Sequence, residues 1–206
     1  MYVSDSKIKE ARKIFKDHEG IMRTSEAGER PVFHERTLYH MRDVGILNRM
    51  DRGLYHLAEG DPISNPDLVL VAKKVSEARI CLISALAIHD LTDEIPHAVH
   101  IALPHASWEP KMEYPPLKVY RFSDETLKAG VQIHEIDGVE IKVFEPAKTI
   151  ADCFEFRNQI GQDPAIEALK RGISQKKATY KDIIRYARLC NVERVIQPYL
   201  EALGHG

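Results

Sequence analysis

The run His34–Leu57, HERTLYHMRDVGILNRMDRGLYHL, constrains the fold more than any other part of the chain. It joins a helix-like pattern, a glycine at 45, and two short apolar segments around a second glycine at 53. At about 100° per residue, Leu38, Met41 and Gly45 share one side of a helix, with Thr37 and Val44 at its edge. Arg36, Tyr39 and Asp43 point the other way, flanked by Glu35 and His40. Gly45 is a C-terminal stop. ILNRM and GLYHL then read as two strands joined at Asp51-Arg52-Gly53, a turn with glycine where positive φ is easiest.

The residues before this run add two more helices. SDSKIKEARKIFKDH, residues 4–18, places Ile8, Ala11, Ile14 and Phe15 on one face, with Ser4 or Ser6 as cap and Gly20 as the end. RTSEAGER, residues 23–30, reads as a short second helix capped by Thr24 or Ser25, and Pro31 interrupts it. Three helices followed by a two-stranded hairpin is the element order of a winged helix-turn-helix. Such a fold splits its third helix into a packed face and a face that offers donors to base edges and phosphates. Arg36, in the first turn, is placed to read a guanine edge. Tyr39 and His40 can reach phosphates or bases. Asp43 opposes DNA contact unless it orients Arg36 or Arg42. Arg49 and Arg52 flank Met50-Asp51 near the hairpin tip, where phosphate contacts would position the protein without reading sequence. The candidate DNA-binding residues are therefore Arg36, Thr37, Tyr39, His40, Arg42, Arg49 and Arg52.

AEGDPISNP, residues 58–66, has the Gly, Pro, Asn and Ser content of a linker. It divides the chain into an expected winged-helix domain, 1–60, and a second domain, 61–206. In the second domain PDLVLVAKKVSEA reads as a helix, RICLI as a strand, and SALAIHDL as a helix capped by Ser84. HAVHIALPH and LKVYRF read as strands, and SDETLKAG as a helical turn capped by Ser123. VQIHEIDGVEIKVFEP is a hairpin turning at Asp137-Gly138, with Val131 and Ile133, then Val139, Ile141 and Val143, alternating with polar residues. AKTIADCFEFRNQIG is a helix with Ile150, Cys153 and Phe154 toward a core. The remainder is helical, with breaks expected at Gly172 and Pro198 and an N-cap at Thr179. The expected fold class is α+β, strands followed by helices.

Charge is uneven. Residues 1–60 carry +1, residues 61–169 carry −8 and residues 170–206 carry +5. Lys170, Arg171, Lys176, Lys177, Lys181, Arg185 and Arg188 form a candidate second basic surface. Lys181, Arg185 and Arg188 share a helix face. This surface is where extra positive charge for an anionic partner is expected, since the first domain alone is barely basic.

Other function classes find less support. Cys81, Cys153 and Cys190 are odd in number and far apart, with neither metal spacing nor a disulfide framework, which fits a reducing cytoplasm. No apolar run approaches the roughly 18–20 residues of a membrane span, and MYVSDSKIKEARKIF does not read as a signal peptide. His97, His100 and His105 lie near Asp90, Asp93 and Glu94. In a strand, however, His97 and His100 point to opposite faces. There is no HExxH, CxxC, P-loop or GxSxG. Lys148 and Asp152 read as an i,i+4 surface pair rather than a catalytic one. The expectation is a chain that is not an enzyme and needs no metal or cofactor.

RTLYHMRDVGILNRMDRGLYHL resembles the N-terminal winged helix of the AbiEi family of antitoxins. The family pattern is matched at Arg36, Thr37, Leu38, Tyr39, Gly45, Leu47, Arg49, Arg52, Gly53 and Tyr55. ICLISALAIHDLTDEIPHAVHIALP resembles the family's next segment, and VEIKVFEPAKTIADCFEFR a further marker at Glu145, Pro146, Lys148, Thr149 and Asp152. His34 departs from the pattern, which commonly has Ser or Thr as the helix cap. The resemblance implies a cytoplasmic, DNA-binding antitoxin that binds repeats at its own promoter and represses its operon. It further implies a functional partner, a nucleotidyltransferase-like toxin, antagonised without a stable complex. The alternatives are a transcription factor whose second domain senses a ligand, and a nucleic-acid-processing enzyme docked by a winged helix.

Overall fold

The computed structural model describes residues 3–26, 34–59 and 62–204. They fall into two compact units, residues 1–74 with 135–139, and residues 75–134 with 140–206. The expected linker boundary lies eight or more residues upstream of this division. The helix that comes after the linker clusters with the first unit.

The first unit runs α1(Asp5–Lys16), β1(Ile21–Arg23), α2(Glu35–Asp43), β2(Leu47–Asp51), β3(Leu54–Leu57) and α3(Pro66–Lys74). The face read from spacing on α1 is buried at Ala11, Ile14 and Phe15. These pack with Met22 of β1, Leu38 and Met41 of α2, and Leu47, Tyr55 and Leu57 of the hairpin. Gly45 leaves α2 at φ 75°, and the Ile46 N–H returns to the Met41 carbonyl at 2.8 Å. The strands form one antiparallel sheet in the order β1-β3-β2, with Ile21 opposite His56 and Leu47 opposite Leu57. One expectation changes here. Arg23 ends a strand, and residues 24–26 form a turn rather than the start of a helix. The Met22 backbone pairs with Tyr55, so sheet pairing overrides the local helical preference. Residues 27–33, which include the rest of the expected second helix, lie outside the described residues. So do Gly60 and Asp61 of the linker.

The second unit is α+β. It holds β4(Arg79–Ile80), α4(Leu82–Ile88), β5(Val99–Pro104), β6(Leu117–Phe122), α5(Asp124–Lys128) and most of β7(Val131–Ile136) and β8(Val139–Phe144), whose hairpin end, residues 135–139, clusters with the first unit. After these come α6(Pro146–Glu155), α7(Arg157–Ile160), α8(Gln162–Ser174), α9(Tyr180–Leu189) and α10(Glu193–Ala202). Sheet order is β6-β5-β4-β8-β7. β5 is antiparallel to β4 and parallel to β6, and β4 is parallel to β8. The turn at Asp137-Gly138 has positive φ at both residues, 51° and 73°, which matches the right-handed twist of a hairpin.

Several local expectations shift for identifiable reasons. RICLI is a strand only at Arg79 and Ile80; Cys81 stands at the N-cap of α4 and the helix begins at Leu82. Ser84 therefore lies inside α4, where its hydroxyl accepts the His100 N–H at 2.9 Å and ties the helix to β5. On the edge strand β7, Ile133 is exposed, whereas Val139, Ile141 and Val143 of β8 are buried. Gly172 does not break a helix. It is buried inside α8, where a Cβ would come 2.5 Å from Ile150 Cδ1 of α6. Its role is close helix approach rather than termination. Pro198 lies within α10, which continues past it.

Candidate nucleic-acid interface

α2 carries the division of faces that its spacing implies. Leu38 and Met41 are buried in the core of the first unit, while Arg36 and Tyr39 are exposed and His40 is half-buried. His34 occupies the N-cap, its Nδ1 accepting the Arg36 N–H at 3.5 Å. His34, Arg36, Tyr39, His40 and Asp43 line one open depression on this surface. Thr37 does not join them. It is only 4% exposed, so it packs inward and the expectation of a DNA contact there is corrected. Helical spacing puts Thr37 at the edge of the packed side, and packing moves that edge in.

Arg42 is held. Its Nε and Nη2 donate to Asp43 Oδ1 at 3.0 and 2.7 Å, and its guanidinium lies 5.1 Å from the Tyr39 ring centroid. Asp43 thus orients Arg42. The guanidinium lies over the ring as a cation–π contact.

On the hairpin, Arg49 and Arg52 are both exposed. The ladder between β2 and β3 shifts between Arg49 and Asp51, a bulge at the tip. Arg49 Nε donates to the Asp51 carbonyl at 3.3 Å, and the Arg52 N–H donates to the Asp51 carboxylate at 2.5 Å. The Lys74 ammonium, from the last residue of α3, also pairs with that carboxylate. Burial pushes the Asp51 carboxyl up, but Lys74 and the Arg52 N–H outweigh it and hold it below the usual carboxylate range. Next to it in sequence, Lys73 lies 3.7 Å from Glu26. Neither the Lys74 contact with the hairpin nor the Lys73 contact with Glu26 is legible from local sequence, because the linker lies between the partners. Their local signal is the basic pair that ends the apolar run of PDLVLVAKK.

The second basic surface is largely neutralised. Arg171 pairs with Asp93 and Glu167, Lys177 with Asp90 and the His89 carbonyl, Arg185 with Glu145 and Asp182, and Arg188 with Glu193. Lys170, Lys176 and Lys181 are exposed, with no acidic partner within 4 Å among the described residues. The tail carries positive charge, but most of it is matched by acids of its own unit.

Lys148 and Asp152 are not on the surface. Both are 0% exposed, and the Lys148 ammonium donates to Asp152 Oδ1. The ammonium also lies 4.4 Å from the Phe144 ring centroid and 5.0 Å from that of Phe122. The Cys190 thiol reaches the same Oδ1 at 3.4 Å, and the Thr149 hydroxyl donates to the Phe144 carbonyl at 2.9 Å. Burial lifts the Asp152 carboxyl to about 6 against the pull of Lys148. Asp152, Glu155 and Cys190 bring three potential metal donors within 4.8 Å of one another. The Lys148 ammonium already occupies Asp152 Oδ1, however, and burial raises the Cys190 thiol far above the range where it ionises. The cluster is a buried ion pair that closes the core around α6, α9 and α10. Of the three histidines, His100 is buried on β5, whereas His97 and His105 are exposed and lie outside that strand.

Among the described residues, no helix is long and apolar enough to cross a membrane. No protein-family model matches the sequence, and no curated protein matches it significantly. The fold does have a structural likeness. The chain superposes on the crystal structure of the RV2827C protein from Mycobacterium tuberculosis with a TM-score of 0.58, over 90% of this chain and 72% of that one. At 13% sequence identity, what the two share is a mixed α+β fold.

Proposed function

We propose that the chain is a DNA-binding antitoxin of the AbiEi kind. The first unit would act as a winged helix that binds repeats at its own promoter and represses the operon. The observation that carries this reading is the split of α2: Leu38 and Met41 are buried, while Arg36, Tyr39 and the clamped Arg42 face solvent in the same unit as a hairpin with Arg49 and Arg52 at its tip. The order α1, α2, β2, β3, with β1 as a third strand, supports the same reading. Arg36 reads base edges in the major groove, and Arg49 and Arg52 track phosphates. On this reading the chain catalyses no reaction and works in the cytoplasm. Its second unit antagonises a nucleotidyltransferase-like toxin without a lasting complex, an assignment that rests on the segments around Ser84 and Lys148.

The test is a gel shift with DNA upstream of the chain's own gene against random duplex of equal length at moderate salt. A clear preference for the upstream DNA is expected. Equal binding to both refutes autorepression, and failure to bind either refutes the DNA-binding reading altogether.

A further inference from the structure

The β2–β3 hairpin closes on an irregular ladder. The register shifts between Arg49 and Asp51 before the last pair, Asp51 with Leu54, so a bulge rather than a regular ladder leads into the turn. Three further interactions converge on Asp51. Its carbonyl accepts Arg49 Nε at 3.3 Å, and its carboxylate accepts the Arg52 N–H at 2.5 Å and the Lys74 ammonium. On the other side of the turn, the Gly53 carbonyl accepts the Thr24 N–H at 2.8 Å.

The Lys74–Asp51 pair differs from an ordinary surface ion pair. The two side chains are only 18% and 20% exposed, so water and salt screen them weakly. Lys74 also closes α3, where a cation suits the helix dipole. Its ammonium is turned to Asp51 rather than to solvent, which makes it a poor phosphate ligand in its own right.

We infer that Lys74 is a positioning residue for DNA binding: through Asp51 it fixes the hairpin tip so that Arg49 and Arg52 present their guanidinium groups together. The inference rests on the DNA-binding reading above. It makes Asp51, an acid beside a polyanion, a requirement rather than a burden. Simple charge counting says the opposite, that removing Asp51's charge would tighten binding.

The experiment compares the full chain with Asp51→Asn, Lys74→Met, Lys74→Arg and the Asp51→Asn/Lys74→Met double variant. Affinity for upstream and random duplex is measured by fluorescence anisotropy. Amide hydrogen exchange at Arg52 and Gly53 is measured in the DNA-free protein. Asp51→Asn and Lys74→Met should each weaken binding to both duplexes by about tenfold, as expected for a partly buried charge pair. The double variant should be no weaker than either single one, and Lys74→Arg should bind as the unmodified chain does. Exchange at the tip should quicken in Lys74→Met and stay slow in Lys74→Arg. Equal or tighter binding by Asp51→Asn overturns the inference, as does additive loss in the double variant or unchanged exchange in Lys74→Met. If the unmodified chain binds no DNA, the DNA-binding reading itself fails, and the exchange measurement decides on its own whether Lys74 orders the tip.

Discussion

Lys148 shows how far a single residue's setting can depart from its sequence context. An i,i+4 Lys–Asp pair on an amphipathic helix is ordinarily solvated, yet this one is sealed between two phenylalanine rings and a cysteine. Removing one partner strands the other charge in the core. Lys148→Met should therefore destabilise the chain by about 3–5 kcal/mol in urea unfolding, and Lys148→Met/Asp152→Leu should recover much of that loss. A double variant as unstable as the sum of the singles would contradict a coupled pair. His100 makes a pH-dependent case. Burial, helped by Lys118, pushes its imidazole down to about 4, so the folded chain holds it neutral. The unfolded chain protonates it near 6.5, so its contribution is complete above that pH and is lost as the pH falls toward 4. His100→Phe keeps a ring on Tyr120, whose centroid lies 5.4 Å away. It should remove on the order of 3 kcal/mol of acid sensitivity between about pH 6.5 and about pH 4. Identical pH slopes for variant and parent in thermal melts would refute this.

Among the elements, caps are the most legible from sequence. Ser123 accepts the Thr126 N–H at 3.2 Å and Thr179 the Asp182 N–H at 3.1 Å, both as local spacing implies. Ser84 also reads as a cap but is not one, because a hydroxyl before an apolar run looks the same whether it starts a helix or bonds to a strand. α8 carries the opposite lesson. Gly172 reads locally as a stop, yet it is a contact point for Ile150 across a helix pair. Gly172→Ala gains helix propensity of about 1 kcal/mol but forces a methyl into Ile150, so a net loss of about 1–3 kcal/mol is expected. Ile150→Val, which deletes the offending Cδ1, should make Gly172→Ala nearly neutral in the double variant. Unfolding midpoints across the four proteins check this, and simple additivity would show that the two helices do not meet there.

For the molecule as a whole, the distribution of charge decides how DNA would be held. The basic tail from Lys170 looks in sequence like the source of positive charge that the first domain lacks. Four of its seven cations are paired within their own unit. Binding should therefore depend on the hairpin. Arg49→Ala or Arg52→Ala should weaken binding to every duplex and lower the salt slope by about 1. Arg36→Ala should instead cost about 1–3 kcal/mol and relax preference at one base pair. A triple change of Lys170, Lys176 and Lys181 to Gln should leave affinity within about twofold. A steep loss in that triple variant would return the tail to the interface.

The sequence by itself determined α1, α2, the β2–β3 hairpin, the turn at Asp137-Gly138 and the α+β class of the second unit. Those features rest on spacing, caps and glycine φ preferences, which act over a few residues. Tertiary structure alone decided that residues 21–23 pair as a strand and that Thr37 turns inward. It also placed Lys148 and Asp152 out of water and brought Lys74 to a hairpin more than twenty residues upstream. Each of these depends on which distant surface a residue meets. Burial and ion pairing act through space, and local sequence does not record them.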